Sequence, residues 1–328
     1  MYNIITIGDI VIDTHIQIDD ASLECKLKNK PCQLCFDYAS KTPIKDSFQS
    51  LGGNAANVAV GVTKLGLTST IISSIGDDSN GKLAIDELEK FNVNVENIAK
   101  DPKQQTRYSV VLNYQSERTI LSFHGKRKYA LPSKMPPTEL IYFTGLSADY
   151  EKLQSQFLKW KQKHPSVTLI YNPGSYQIKN TMNEVKEMIK NTDILIVNLQ
   201  EAEKILNTTL KEMKKVSALI HGLLNLGAHE VVITDSAKGA YVGDLDEVWY
   251  MPSFPVKVVA KVGAGDAFSS GYISARQKGH NKTQALRWGI ANSSGVITKV
   301  GAQNGLLNTK QIHKILVKYE NITPKIVS

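Results

Sequence analysis

Asp193-Ile194-Leu195-Ile196-Val197-Asn198 is a short, unbroken apolar run, and a helical pattern over Glu201–Leu206 follows it almost at once. A run of this length, rich in Ile and Val, suits a strand covered on both faces. A second helical pattern, Val216–Leu226, leads to another such run, Glu230–Thr234. Strand, helix and strand in that order predict parallel pairing through a crossover. The same alternation extends outward toward the N-terminus. Further strands are predicted at Asn3–Gly8, Ser69–Ile75, Leu140–Gly145 and Val167–Asn172, with helices at Asn54–Leu65, Gly81–Phe91 and Tyr150–Lys163. The expectation is one α/β domain spanning residues 1–328, a mostly parallel sheet with helices on both faces.

Two segments break this rhythm. Residues 14–50 are strand-like and polar, with no helical pattern. Residues 106–125 read as a hairpin, with Tyr108–Leu112 and Arg118–Leu121 flanking a turn near Gln115–Glu117. Together they are expected to form a small β-sheet lid. Its exposed edges would invite pairing with another lid, so a homodimer is expected.

Composition excludes several classes. The 328 residues carry a formal charge of +8, yet only five of the 39 basic residues are Arg. The Lys residues are spread thinly, as on a solvated surface rather than a nucleic-acid reader, which concentrates Arg on one element. No apolar run reaches the roughly 18 residues of a membrane span, and the N-terminus carries no secretory pattern, so a cytoplasmic protein is expected. The three cysteines, Cys25, Cys32 and Cys35, do not suggest a disulfide framework. Cys32-Gln33-Leu34-Cys35 is a CxxC that supplies half of a structural zinc site, which only a dimer-shared ion would complete.

Two glycine-rich stretches carry the chemistry. In Leu51-Gly52-Gly53-Asn54-Ala55-Ala56-Asn57, two glycines allow close approach of a ligand to the backbone. Asn54 and Asn57 share one face of the following helix and suit a polyol, since an amide both donates and accepts. Capping of the helix by Asn is the competing explanation. In Lys261-Val262-Gly263-Ala264-Gly265-Asp266-Ala267-Phe268, a strand is expected to end near Val259 and a helix to begin at the glycines. Free N–H groups and the positive helix dipole then converge beside a carboxylate. An acid next to an anion hole fits transfer of a phosphoryl group to an alcohol. Neither a Walker A motif nor a Rossmann GxGxxG is present.

With both stretches in view, the chain resembles the ribokinase (PfkB-type) family of carbohydrate and nucleoside kinases over roughly residues 3–310. The resemblance implies a ribokinase-like three-layer sandwich with a small β-sheet lid. It implies Asp13 as a substrate-gripping residue, and a sugar pocket lined by Gly52, Gly53, Asn54 and Asn57. Asn198 and Glu201, in an N-x-x-E element, would serve the phosphates and Mg²⁺, Glu201 acting through water. Asn172-Pro173-Gly174 would lie along the phosphate path, and Gly76–Gly81 would form a structural turn. Thr234, Ser236 and Gly239 match the nucleotide loop, although Ser236 stands where the family has Gly. Asn292 would lie near the adenine. Gly263, Ala264 and Gly265 would form the anion hole, with Asp266 as the base. Ala260 replaces an Asp that supports a monovalent cation in the family, so activation by K⁺ is left open.

The implied activity is ATP- and Mg²⁺-dependent phosphorylation of a hydroxymethyl group on a small sugar. The alternatives are a nucleoside kinase acting on the ribose 5′-hydroxyl, with Phe36, Tyr38, Phe48 and Phe123 as walls for the base, and a non-catalytic sugar or nucleotide sensor. Arg107 and Arg118 are candidates for an acidic substrate. No nucleic-acid or membrane partner is expected.

Overall fold

Alternate residues of the predicted apolar runs leave the backbone on opposite faces, and in the computed structural model each face meets its own helical layer. The structure describes residues 1–25, 32–115, 117–123, 125 and 127–328. Ile5, Ile141, Leu169, Leu195 and Val231 pack toward helices Glu151–Lys163, Met182–Ile189, Leu199–Leu206 and Val216–Leu224. Ile4, Leu140, Ile170, Ile194 and Val232 pack the other way, toward Asn54–Lys64, Ala264–Gln277, Lys282–Val296 and Thr309–Lys318. Burial on both faces explains why these strands read as continuous apolar runs instead of alternating ones.

The ten strands of this sheet run in the order Lys325–Ile326, Val248–Met251, Ala240–Gly243, Glu230–Thr234, Ile194–Asn198, Thr168–Tyr171, Leu140–Phe143, Ile4–Ile7, Ser69–Gly76 and Ile98–Asp101. Pairing is parallel from Ile98–Asp101 through Glu230–Thr234 and antiparallel beyond it. The architecture is the expected α/β sandwich. The strand expected to end near Val259 ends instead at Met251. Residues 252–263 form a connection without a ladder, tied at Val259 and Ala260, whose N–H groups donate to the Ile297 carbonyl.

A second sheet rises from the carboxyl ends of the central strands. Its order is Asp46–Gly52, Val11–Gln17, Tyr108–Tyr114 and Glu117–Ser122, the middle pair parallel and the outer pairs antiparallel. The chain enters this sheet at Val11, directly after the first central strand. Register sets Ser50, Asp13, Ser109 and Ser122 side by side in one row across it.

Beside this sheet, Ser22–Glu24 pairs antiparallel with Gln33–Cys35. The register places Ser22 opposite Cys35 and Glu24 opposite Gln33, so the next facing pair is Cys25 and Cys32. Those two form a disulfide, and Cys35 keeps its thiol. The CxxC reading is corrected by this pairing: cross-strand register, not proximity in sequence, chooses the partner. Among the described residues no cluster of three or more His, Cys, Asp or Glu side chains is placed to hold a metal. None of their helices is long and apolar enough to cross a membrane.

Candidate active site

The site is built on the amino end of Ala264–Gln277. Gly263 precedes that helix with φ 75°, and a side chain there would run into Ala302. Glycine therefore lets the connection turn tightly against the 301–305 loop and aim the first helical N–H groups outward. At Gly265 an added Cβ would meet nothing, so this turn faces open space. Asp266 sits in the same turn, with Ala264 and Gly265 just before it.

Burial pushes the Asp266 carboxyl up to about 6; a hydrogen bond from Asn57 opposes the rise and the charge of Asp13 adds to it. Asn57 Nδ2 donates to Asp266 Oδ2 at 2.8 Å, and Gln303 Nε2 donates to Asn57 Oδ1 at 2.9 Å. Asn57 thus bridges the acid and the 301–305 loop. Its neighbour Asn54 does not cap the helix, because Gly53 holds the cap position. Asn54 Nδ2 donates instead to Asn172 Oδ1 at 3.3 Å. Asn172 Oδ1 also accepts from Tyr142 and Thr144, while its own amide donates to the Ile196 carbonyl. This network ties the end of Thr168–Tyr171 to the helix that carries Asn57.

Asp13 enters from the second sheet. A Cβ on Gly52 would come within 2.3 Å of the Asp13 carboxylate, so only glycine leaves room for it. Burial raises the Asp13 pKa, against lowering by Ser109 and by the Arg107 guanidinium. Arg107 is steered by Asp9, whose carboxylate accepts from Arg107 Nη1 at 2.7 Å, Tyr129 Oη at 2.5 Å and Ser147 Oγ at 2.7 Å. Asp9 is buried and used up by these bonds.

These residues enclose a cavity of about 750 Å³ under the second sheet. Asp13, Gly53, Asn54, Asn57, Gly263 and Asp266 all line it, together with Glu201 from the helix Leu199–Leu206. Asn198 and Glu201 cap that helix reciprocally: Asn198 Oδ1 accepts from the Glu201 N–H, and Glu201 Oε2 accepts from the Asn198 N–H, both at 2.9 Å. Burial pushes Glu201 up to about 7, with the Asn198 backbone bond and Lys204 opposing the rise. A carboxylate at the cavity wall that belongs to no metal-holding cluster of three or more side chains among the described residues suits Mg²⁺, which keeps several waters and takes phosphate oxygens.

Thr234, Ser236 and Gly239 are not among the residues that line this cavity. Thr234 is the register partner of Asn198. Ser236 keeps a left-handed backbone, φ 47°, in the position where the family carries Gly. Gly239, at φ 118°, packs so closely that a Cβ would strike the Met251 carbonyl. The expectation for Asn292 is corrected. It is fully buried, donates to the Ala267 carbonyl and Ser270 Oγ, and accepts from the Leu307 N–H. No part of it is left for adenine; it ties two helices to the loop after them.

Phe36, Tyr38, Phe48 and Phe123, named for a nucleobase, are not among the residues that line the cavity. Phe48 stacks on His15, Phe123 stacks on Tyr108, and Tyr38 is fully exposed. Tyr176 is the aromatic side chain on the cavity wall among the described residues. Gly76–Gly81 forms a turn in which Asp78 accepts from the Gly81 and Thr106 N–H groups. Asp9, Tyr142 and Gln303 were not singled out in the sequence. Asp9 follows the first strand as a visible polar residue, whereas Gln303 carries no local signal.

The chain matches the family described as pfkB family carbohydrate kinase over residues 33–310. It is 24% identical over 314 residues to an ATP-dependent 6-phosphofructokinase of Thermoanaerobacterium thermosaccharolyticum, covering 92% of this chain and 89% of the relative. It is 24% identical over 277 residues to a nucleoside kinase of Methanocaldococcus jannaschii, covering 82% and 86%. A structure of Arabidopsis thaliana ribokinase complexed with ribose and ATP superposes with a TM-score of 0.79 at 19% identity, covering 96% of this chain and 98% of that one.

Proposed function

This chain belongs to the pfkB family of carbohydrate kinases, and we propose that it transfers the γ-phosphoryl group of ATP to a hydroxymethyl group of a small sugar, with Asp266 as the general base. The observation that carries this reading is the placement of Asp266 in the first turn of Ala264–Gln277, at the cavity wall, beside the outward-facing Gly263–Gly265 turn.

In this reading the sugar lies under the second sheet, held by Asp13 and Asn54. The sheet acts as a lid that excludes water from the transfer. Asp266 accepts the proton of the attacking hydroxyl, and Asn57 keeps its carboxylate turned into the cavity. The N–H groups of the Gly263–Gly265 turn take up the negative charge of the phosphoryl group in flight. Glu201 would hold Mg²⁺ through its waters, and the ion would neutralise phosphate charge. Thr234, Ser236 and Gly239 border the nucleotide. Removal of Asp266 is expected to lower the rate about 10²–10⁴-fold.

A sugar is preferred over a nucleoside because, among the described residues, Tyr176 is the one aromatic side chain on the cavity wall, beside apolar Val11, Ile120, Leu146, Pro173 and Val262. The test is ADP release with Mg-ATP across sugars, sugar acids and nucleosides, with Asp266→Ala alongside. Turnover confined to nucleosides, or unchanged in the variant, would overturn the reading.

A further inference from the structure

Asp9 and Arg107 pair within the cavity lining, but not every cation there has such a partner. Asp13, Asp266 and Glu201 all line the one cavity. The cations that act on them are Arg107 on Asp13 and Lys204 on Glu201. Two further cations line the same cavity, Arg118 and Lys179. Neither has an acidic partner among the described residues.

Their placement follows from the fold. Along Glu117–Ser122, alternate residues face one side, and Arg118, Ile120 and Ser122 are the ones that line the cavity. Ser122 is in register with Ser109 and through it with Asp13, at the reactive end. Arg118 lies four residues further along, about 13 Å toward the tip of the lid. Burial lowers the pKa of His15 on the same face, and the charge of Arg118 adds to that lowering. Lys179 comes from the wall formed by Ser175–Asn180, together with Tyr176. Arg107, paired with the buried Asp9, is the third cation of the lining.

A neutral polyol needs hydroxyl-matching donors and acceptors, which Asp13, Asn54 and the serines already supply. It gives nothing to unpaired cations facing into a shared cavity. An anion does, through charge-assisted hydrogen bonds. We infer that the sugar substrate carries an anionic substituent, a phosphate or a carboxylate, remote from its reacting hydroxyl, and that Arg118 and Lys179 hold it as the lid closes. This rests on the kinase reading and narrows its substrate class.

The test uses the full chain with Mg-ATP and matched sugars: fructose against fructose 6-phosphate, ribose against ribose 1-phosphate, and glucose against gluconate. The expected result is a kcat/KM at least 100-fold higher for an anionic member of a pair. Arg118→Gln and Lys179→Gln, both at exposed positions, should each raise KM for that sugar at least tenfold, with KM for ATP held, and Arg118→Lys should restore part of the loss. Equal or better turnover of the neutral members would overturn the inference. So would variants that raise KM for ATP alone, since the cations would then serve the nucleotide. Absence of turnover on every sugar would count against the kinase reading itself. Calorimetric titration of the same pairs would then decide the anionic subsite on its own, tighter binding of the anionic members supporting it and equal binding overturning it.

Discussion

Asn57 Nδ2 donates to Asp266 Oδ2 at 2.8 Å while its carbonyl oxygen is held by Gln303 Nε2 at 2.9 Å. The bond from Gln303 fixes which end of the Asn57 amide faces the acid. The 301–305 loop therefore reaches the base through one intervening side chain.

Loss of the Gln303 amide should free Asn57 to turn its carbonyl toward Asp266. The carboxyl, already at about 6 in the intact protein, would then rise further. The base must be ionised to work, so the acid limb of the pH profile of kcat/KM should move to higher pH in Gln303→Leu. A rise of one unit would cost about tenfold at pH 5 and little at pH 8. An unshifted limb, with activity scaled equally at all pH values, would show that Gln303 acts only on stability.

Asp266 and Glu201 should both destabilise the fold at neutral to alkaline pH. Burial raises their folded pKa values, to about 6 and about 7, above the ordinary 3.8 and 4.5. Between the ordinary and the raised value the folded state binds more protons than the unfolded state, so stability falls as pH rises through that window. Asp266→Asn and Glu201→Gln should each raise Tm at pH 8, by the equivalent of about 1–3 kcal/mol. The advantage should shrink as pH falls below about 6 or 7 and vanish near pH 4. Thermal melts across pH check both, and an advantage independent of pH would refute the electrostatic cause.

Arg107 and Asp9 form an ion pair with little solvent access, 16% and 3% for the two side chains. Arg107→Leu would leave the Asp9 carboxylate buried with Tyr129 and Ser147 as its remaining donors. The expected loss is about 3–5 kcal/mol in urea unfolding, as for other buried pairs broken on one side. Arg107→Leu with Asp9→Asn should recover part of it.

Ser236 adopts φ 47° at an exposed position in the loop proposed to border the nucleotide. A left-handed conformation costs a residue with a Cβ roughly 1 kcal/mol, and glycine escapes that cost at some loss of chain entropy. Ser236→Gly should therefore hold or raise stability, by at most about 1 kcal/mol, and leave nucleotide affinity intact. A clear fall in Tm would show that the hydroxyl makes a contact worth more than the strain.

Much of the sheet could be read from the chain because Ile4–Ile7, Leu140–Phe143 and residues 194–197 are buried on both faces and so are almost wholly apolar. The amino-terminal turn around Gly263–Asp266 was legible for a local reason, glycines opening a helix beside an acid. What failed to show was set by long-range geometry. Gln303 lies 246 residues from Asn57, and Asn292 is consumed by partners on another helix and loop. Cys25 found Cys32 through strand register, which no spacing rule anticipates. The antiparallel strands Ala240–Gly243 and Val248–Met251 are only four residues each, so they carry little periodic signal.

The central claim rests on one carboxylate. Steady-state ADP release should be compared between the intact protein and Asp266→Ala, at pH 8 with saturating Mg-ATP and the best sugar of the panel. Nucleotide affinity should be measured in parallel with a non-transferable ATP analogue. The account predicts a fall in kcat of about 10²–10⁴ with nucleotide affinity within a few-fold of the original. Turnover in the variant within a few-fold of the intact protein would contradict Asp266 as the base and, with it, the mechanism.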